Sequence, residues 1–279
     1  MRFPLSRLTG KPARLRLSLL LFLLLFLLLF LLLFLLLFLA IHSTVSYGQQ
    51  LASGPEIMVY KTVAGAKLTA HVFRPAESSF SRARPAIVLF HGGAWSMGAP
   101  DWVYNAAKRY ASFGAVTVAA EYRLSDKNTL ITPIEALEDA RDVVRWMRGN
   151  ASELGIDPNH IAAYGISAGG HLAASLAFFC STDKNQISAV PNAMLLISPA
   201  VAMAKDNYFQ SLLGKRALAR EYSPEEQMDT APPPTIIFNG SVDDLTPLDM
   251  KNAVSPESSR RCLIQPLSTG ASESRASRN

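Results

Sequence analysis

Apolar and polar positions divide the chain into four stretches. Leu17 to Ile41 is an apolar run, broken only by Ser18, on a Leu-Leu-Leu-Phe repeat, with Phe22, Phe26, Phe30, Phe34 and Phe38 in step. Arg2, Arg7, Lys11, Arg14 and Arg16 precede it, and Ser43 to Gly48 follow it. Basic flank, apolar run and small polar residues make the layout of a signal peptide. The run exceeds the roughly 7–15 apolar residues usual in such peptides and reaches the about 20 that cross a bilayer. Residues 1–48 therefore form a cleaved signal or an uncleaved anchor. Charge before the run and little after it puts the rest outside by the positive-inside rule. Residues 49–55 read as a linker.

Beyond the linker the pattern changes period. Ile57 to Val63 and Lys67 to Arg74 alternate, as in an antiparallel pair. Ala86-Ile87-Val88-Leu89-Phe90, Val116 to Ala120, Ile161 to Tyr164, Ala193 to Ile197 and Thr235 to Phe238 are short apolar runs of the kind that strands covered on both faces require. Between them Asp101 to Phe113 and Pro133 to Leu154 carry helical spacing, with Pro133 suited to a first turn. An Ala-rich run, Leu172 to Phe179, is a further helix, and Lys205 to Pro234 mixes helix-like and Pro-rich pieces that would cover a site. Strands alternating with helices predict an α/β domain over 56–253: a mostly parallel central sheet with helices on both faces, binding ligands at the strand C-termini. Residues 254–279 are rich in Ser and Arg and lose the periodicity except at Cys262-Leu263-Ile264. They have the composition of a disordered or aberrant tail.

The candidate chemistry centres on Tyr164-Gly165-Ile166-Ser167-Ala168-Gly169-Gly170-His171. A strand leads in and a helix leads out, the context that G-x-S-x-G needs to hold a serine on a strained turn. Gly165 and Gly169 let strand and helix pass close to that turn. The serine then stands beside the first N–H groups of a helix, donors suited to a developing negative charge. Upstream lies His91-Gly92-Gly93-Ala94-Trp95; downstream lies Asn239-Gly240-Ser241-Val242-Asp243.

These three stretches resemble the α/β-hydrolase esterases, of the hormone-sensitive-lipase-like or acetyl- and feruloyl-esterase-like kind, from about Glu56 to about Ala253. The resemblance implies an α/β-hydrolase fold without metal or cofactor, acting on small carboxylic esters, with acylated plant-type polysaccharide as a substrate class. It implies Ser167 as nucleophile, the N–H groups of Gly92, Gly93 and Ala168 as oxyanion hole, and Asp243 as the acid of the triad, with Asp244 as its alternative. Trp95 either lines the substrate pocket or packs as a core indole, and His91 shapes its loop. An aryl-formamidase or a peptidase of the same fold is a further alternative, and Ala168 after the nucleophile favours the esterase.

The family's order is Ser, Asp, His. Here His42, His71, His91, His160 and His171 all precede Asp243. His171 reads as a packing residue and His160 as remote. The family's last strand and helix are therefore expected to be missing, through truncation or a shifted reading frame after Ala253, with an exposed sheet edge as the consequence. A catalytically impaired binding protein is the alternative in a different class.

Composition changes the picture little. The formal charge of +5 comes from the flanks: nine of the 27 basic and two of the 22 acidic residues lie there, leaving 18 against 20. A net of about −2 over the α/β segment gives no case for nucleic acid. Cys180 reads as a buried helix residue and Cys262 as a tail residue, which favours separate thiols, with a disulfide between them as the alternative in an exported protein. His and Cys show no metal-ligand spacing, and no phosphate-binding glycine motif sits between strand and helix.

Overall fold

The computed structural model describes residues 11–50, 54–75, 83–126, 128–178, 187–227, 232–240, 243, 246 and 262–267. Cys180 and most of the expected tail lie outside them. The chain divides into two compact units, Met1–Ser53 and Gly54–Asn279. The first contains helix α1, Lys11–Gln50. Within it Leu19–Leu39 is 21 residues long with a mean hydropathy of 3.6, long and apolar enough to cross a membrane. At 1.5 Å per residue this stretch is about 31 Å long, close to the hydrocarbon thickness of a bilayer.

The second unit opens with β1 (Glu56–Val63) and β2 (Ala66–Phe73), an antiparallel hairpin. Ala64 and Gly65 both have positive φ, as a two-residue hairpin turn demands. Then follow β3 (Arg84–Phe90), α2 (Tyr104–Ser112), β4 (Val116–Ala120), α3 (Pro133–Gly149), the single turn α4 (Ala151–Leu154), β5 (Ile156–Ile166), α5 (Ala168–Phe178), β6 (Ala193–Ile197), α6 (Asn207–Leu213), β7 (Thr235–Gly240) and β8 (Cys262–Leu267). The sheet order is β1-β2-β4-β3-β5-β6-β7-β8. All neighbours from β4 to β8 run parallel, as the apolar strand runs predict; β2 meets β4 antiparallel.

Three boundaries differ from expectation. The helix expected over Pro133 to Leu154 ends at Gly149, where Asn150 leaves helical geometry and its N–H turns back to the Trp146 carbonyl. The strand leading to Ser167 starts five residues earlier than Ile161: Ile156 pairs with Arg84 on β3, and Asp157 to His160 fall in an irregularity of the ladder before pairing resumes at Ile161 and Ala86. The expected loss of the last strand is corrected: Cys262–Leu267 pairs with all six residues of β7. The apolar Cys262-Leu263-Ile264 lies within it, and Pro266 is tolerated because β8 ends the sheet order.

Helix α3 shows why the core sits where it does. Thr132 caps it, its side chain accepting from the Ile134 N–H while Glu135 accepts from the Thr132 N–H, with Pro133 in the first turn. Ala136, Leu137, Ala140, Val143, Val144 and Met147 form its buried stripe. They join Val88, Phe90, Val118, Ala163, Leu172 and Leu176 in the larger core. A smaller core on the other face joins Val103, Ala107 and Ala111 to Leu89, Ala119 and Tyr164. The helix after β3 therefore covers one face, and the helix after β5 the other. Adjacent strands whose chains leave to opposite faces open a crevice between their C-terminal ends. His91 to Gly93 and Ser167 stand on its two sides.

A carboxylate is buried on α3 beside the larger core. Asp139 has no exposed surface and takes the Lys61 ammonium at 2.6 Å and a two-pronged Arg123 guanidinium at 2.8 Å, plus the Arg123 N–H at 3.0 Å. Removing one partner of such a pair leaves buried charges uncompensated. We expect Asp139→Ala to lose about 3 kcal/mol of stability in guanidinium denaturation; a loss below about 1 kcal/mol would show that solvent reaches the two cations.

Candidate active site

Ser167 lies between β5 and α5 with φ +54°, a left-handed backbone that a serine adopts only under constraint. The constraint is visible. Its N–H donates to the Ile197 carbonyl at the end of β6. Its carbonyl accepts from the His171 N–H, the first turn of α5, and from the Ala200 N–H. The turn is pinned from both sides, and the half-buried side chain is left without a hydrogen-bond partner among the described residues.

Glycines let the turn exist. A Cβ on Gly165 would stand 2.1 Å from the Gly169 carbonyl oxygen, and one on Gly169 would stand 2.2 Å from the Phe90 oxygen and 2.4 Å from that of His91. No side chain fits between these backbones, so α5 starts directly against the end of β3. That contact brings the loop after β3 to the serine: a Cβ on Gly92 would be 3.5 Å from the Ser167 Cβ. Gly93 has φ +118°, and its carbonyl accepts from the Ser96 and Met97 N–H groups at 3.1 Å, folding the loop back on itself. Ser167, Ala168 at the start of α5, and Gly92 thus come together, with Gly93 next in the same loop. Preorganised backbone donors beside a serine hydroxyl can stabilise an oxyanion formed by attack of that hydroxyl on a carbonyl.

Asp243 follows β7, two strands along from β5 at the same C-terminal edge, so about 10 Å across at the usual strand spacing. Its carboxylate accepts from the Thr246 N–H and hydroxyl, both at 2.8 Å, which fixes its direction.

Four histidines belong to this unit, and each is engaged. His71 bonds the Tyr104 hydroxyl and, at 3.0 Å, Thr69. His160 pairs with Asp157 near the far end of β5, about 20 Å from Ser167 at 3.3 Å per residue. His91 is buried, and its Nδ1–H donates to the Gly92 carbonyl at 2.6 Å. The Tyr122 ring stacks on it at 4.3 Å, and the Tyr122 hydroxyl donates to the His91 carbonyl at 2.9 Å. Burial pushes the His91 pKa down, against the opposing pull of the Gly92 carbonyl, Asp101 and Glu121. His171 is fully buried one turn into α5. Its Nδ1 accepts from the Trp95 indole N–H at 3.2 Å, which leaves Nε2–H to donate to the Tyr222 carbonyl at 2.7 Å. Both nitrogens are used, and burial holds its pKa down to about 4.

Trp95 resolves into one of its two expected roles. It is 4% exposed, packs on Phe209 at 4.7 Å and on His171, and so is a core indole rather than a pocket wall. Tyr122 stands behind the loop after β3, against His91, and lies in none of the three motifs. Its only sequence signal is its place at the end of a buried strand, in Glu121-Tyr122-Arg123-Leu124.

A family model described as the α/β-hydrolase fold matches residues 87–245, more than half of the chain. The chain belongs to the α/β-hydrolase fold family. Among the curated relatives of this chain, the carboxylesterase NlhH of Mycobacterium tuberculosis is 39% identical over 95 residues, covering 33% of this chain and 28% of the relative. An arylesterase of Saccharolobus solfataricus is 35% identical over 115 residues, covering 40% of this chain and 36% of the relative. The matched part thus spans about a third of those relatives' lengths. Among solved structures, the propionate-bound esterase Est2 of Thermogutta terrifontis superposes with a TM-score of 0.68 at 30% identity, covering 79% of this chain and 85% of that chain.

The buried His171 makes the protein's stability acid-sensitive. Its folded pKa of about 4 lies below the ordinary 6.5, so on acidification the unfolded chain takes up the proton first. The contribution is complete above about pH 6.5 and is lost as pH falls towards 4, at most about 3 kcal/mol. Urea denaturation at pH 7 and pH 4.5 should show a smaller acid loss for His171→Gln than for the parent; equal losses would place the sensitivity elsewhere.

Proposed function

We propose that this protein is an exported serine hydrolase of small carboxylic esters. Ser167 is the nucleophile, the N–H groups of Gly92, Gly93 and Ala168 form the oxyanion hole, and Asp243 is the acid that orients a base. The reading is carried by the left-handed Ser167, pinned beside Gly92 and the start of α5. The hydroxyl oxygen adds to the ester carbonyl, whose oxygen takes the charge against the backbone donors. The C–O bond to the alcohol breaks, the alcohol leaves with the proton removed from Ser167, and water releases the acid from the acyl-serine. Relatives named carboxylesterase and arylesterase support the bond cleaved. The propionate- and butyrate-bound structures of the Thermogutta enzyme support a short acyl group. The resemblance of the motifs extends the substrate class to acetylated or feruloylated polysaccharide, which an exported enzyme would meet outside the cell. Export rests on the apolar Leu19–Leu39 and its basic flank.

The proton acceptor is the open position in this scheme. All five histidines precede Asp243, and the four in this unit are engaged elsewhere. That observation favours a second reading, a hydrolase-like protein that binds an ester or acid without turning it over.

An assay with p-nitrophenyl acetate separates the two. Loss of a triad member leaves about 10³–10⁴-fold catalysis over water in a serine protease. We therefore expect a slow but measurable rate, absent in Ser167→Ala. Added imidazole, supplying the base from solution, should raise the difference between the two proteins. Identical rates for parent and Ser167→Ala, with and without imidazole, would leave the binding reading standing alone.

A further inference from the structure

The sequence of contacts behind Gly93 carries an inference that rests on the reading of Ser167 as nucleophile. We propose that Tyr122 is a positioning residue for ester hydrolysis. Its ring and hydroxyl hold His91, His91 holds the Gly92 carbonyl, and that carbonyl sets the direction of the Gly93 N–H.

The last link is covalent. The peptide between Gly92 and Gly93 is planar, so its C=O and N–H point in opposite directions. With the Gly92 oxygen drawn to His91 Nδ1 at 2.6 Å, the Gly93 N–H turns away from His91. Glycine on both sides of this peptide gives it no steric preference of its own, so the orientation must come from outside. His91 is held in turn from several directions. Tyr122 lies flat on its ring, with 17° between the planes, and Trp102 meets its edge at 6.0 Å. Gly98 leaves it room, since a Cβ there would come within 2.4 Å of Nδ1. The Tyr122 hydroxyl reaches the His91 carbonyl at 2.9 Å and Nδ1 at 3.2 Å, so one oxygen contacts both the backbone and the ring of the residue it holds.

Tyr122 is itself fixed at both ends. It follows β4, where the Glu121 N–H donates to Thr69 on β2 at 2.9 Å. It precedes Arg123, whose N–H and guanidinium are clamped by the buried Asp139. A core tyrosine that only filled space would need neither the hydroxyl contact nor the parallel stack. Here the rigid β4–α3 side of the domain is connected to a loop that has glycines where it needs firmness.

Tyr122→Phe removes the hydroxyl and keeps the ring. In the imidazole-supplemented p-nitrophenyl acetate assay, well below the melting temperature, we expect kcat to fall about tenfold with KM within twofold. A full oxyanion donor is worth about 10²–10³, and this one is loosened rather than lost. Butylboronic acid, whose serine adduct places an oxygen in the same hole, should bind about tenfold more weakly. A merely structural tyrosine would lower the melting temperature and leave both readouts alone. If Tyr122→Phe does not fold, Arg123→Lys tests the same connection, because it keeps the tyrosine and loosens its clamp on Asp139. It should show the same loss in kcat and boronate affinity. Parent-like kcat and boronate affinity in the folded variant overturn the assignment. A parent protein with no Ser167-dependent rate and no boronate binding overturns the proposed function, and this inference with it.

Discussion

Three stretches of bare backbone meet at one point, and the site depends on that meeting. The start of α5 lies against the end of β3 so closely that Gly169 has two carbonyl oxygens where a side chain would begin, and Gly165 has the Gly169 oxygen in the same place. Any residue but glycine would push α5 away from the sheet by ångströms. The serine would then lose its distance to the loop after β3, where Gly92 faces the Ser167 Cβ. The contact also explains why the serine can bear a left-handed φ. The strain, of order 1–3 kcal/mol for such a residue, is opposed by three backbone hydrogen bonds to Ser167 and by the core beneath α5.

Close backbone contact creates a second demand, since buried carbonyls need donors. The His91 carbonyl, pressed by Gly169, receives the Tyr122 hydroxyl. The Gly92 carbonyl receives the His91 ring. Two neutral imidazoles thereby serve as brackets. His91 braces the loop from behind, and His171 ties the first turn of α5 to Trp95 on that same loop and to Tyr222 beyond it. A neutral imidazole suits the second task because it donates at one nitrogen and accepts at the other in a rigid plane. Burial keeps the ring neutral, and the same burial removes it as a candidate base.

The elbow and the parallel strands were legible because their causes are local. Ala86 to Phe90 is apolar without a break, Val116 to Ala120 is apolar but for Thr117, and Gly165 and Gly169 stand at fixed offsets from Ser167. What was not legible depends on partners far along the chain. Asp157 to His160 are polar and would suit a loop, yet they extend β5. Cys262-Leu263-Ile264 was the only apolar remnant in a Ser- and Arg-rich stretch, and the free edge of β7 is what turns it into a strand. Tyr122 meets His91 across 31 residues of sequence, and Trp95 meets His171 across 76. Neither spacing has a signature. Trp95 could be read as pocket or core for that reason, and only the position of Phe209 on α6 decides it.

The two halves of the site differ in how they are supported. Ser167, Ala168 and the Gly92 loop stand on β3 and β5, in the middle of the sheet, with Phe90, Ala163, Ala168 and Leu172 fully buried beneath them. Asp243 follows β7, where Phe238 is half-buried and Ile236 is 40% exposed, beside β6, where Leu195 and Ile197 are half-buried. Local stability follows buried apolar contact, so the proposed nucleophile and oxyanion donors belong to the part of the fold that opens last. The proposed acid belongs to a part that opens more readily, and the two hydrogen bonds from Thr246 help to orient it. A rigid centre for the proposed oxyanion donors, beside a more weakly held arm for the proposed acid, is the order in which this fold commits its stability. Electrostatic preorganisation needs firmness at the oxyanion, where errors in donor direction cost most, and tolerates more freedom at the group that only orients a base.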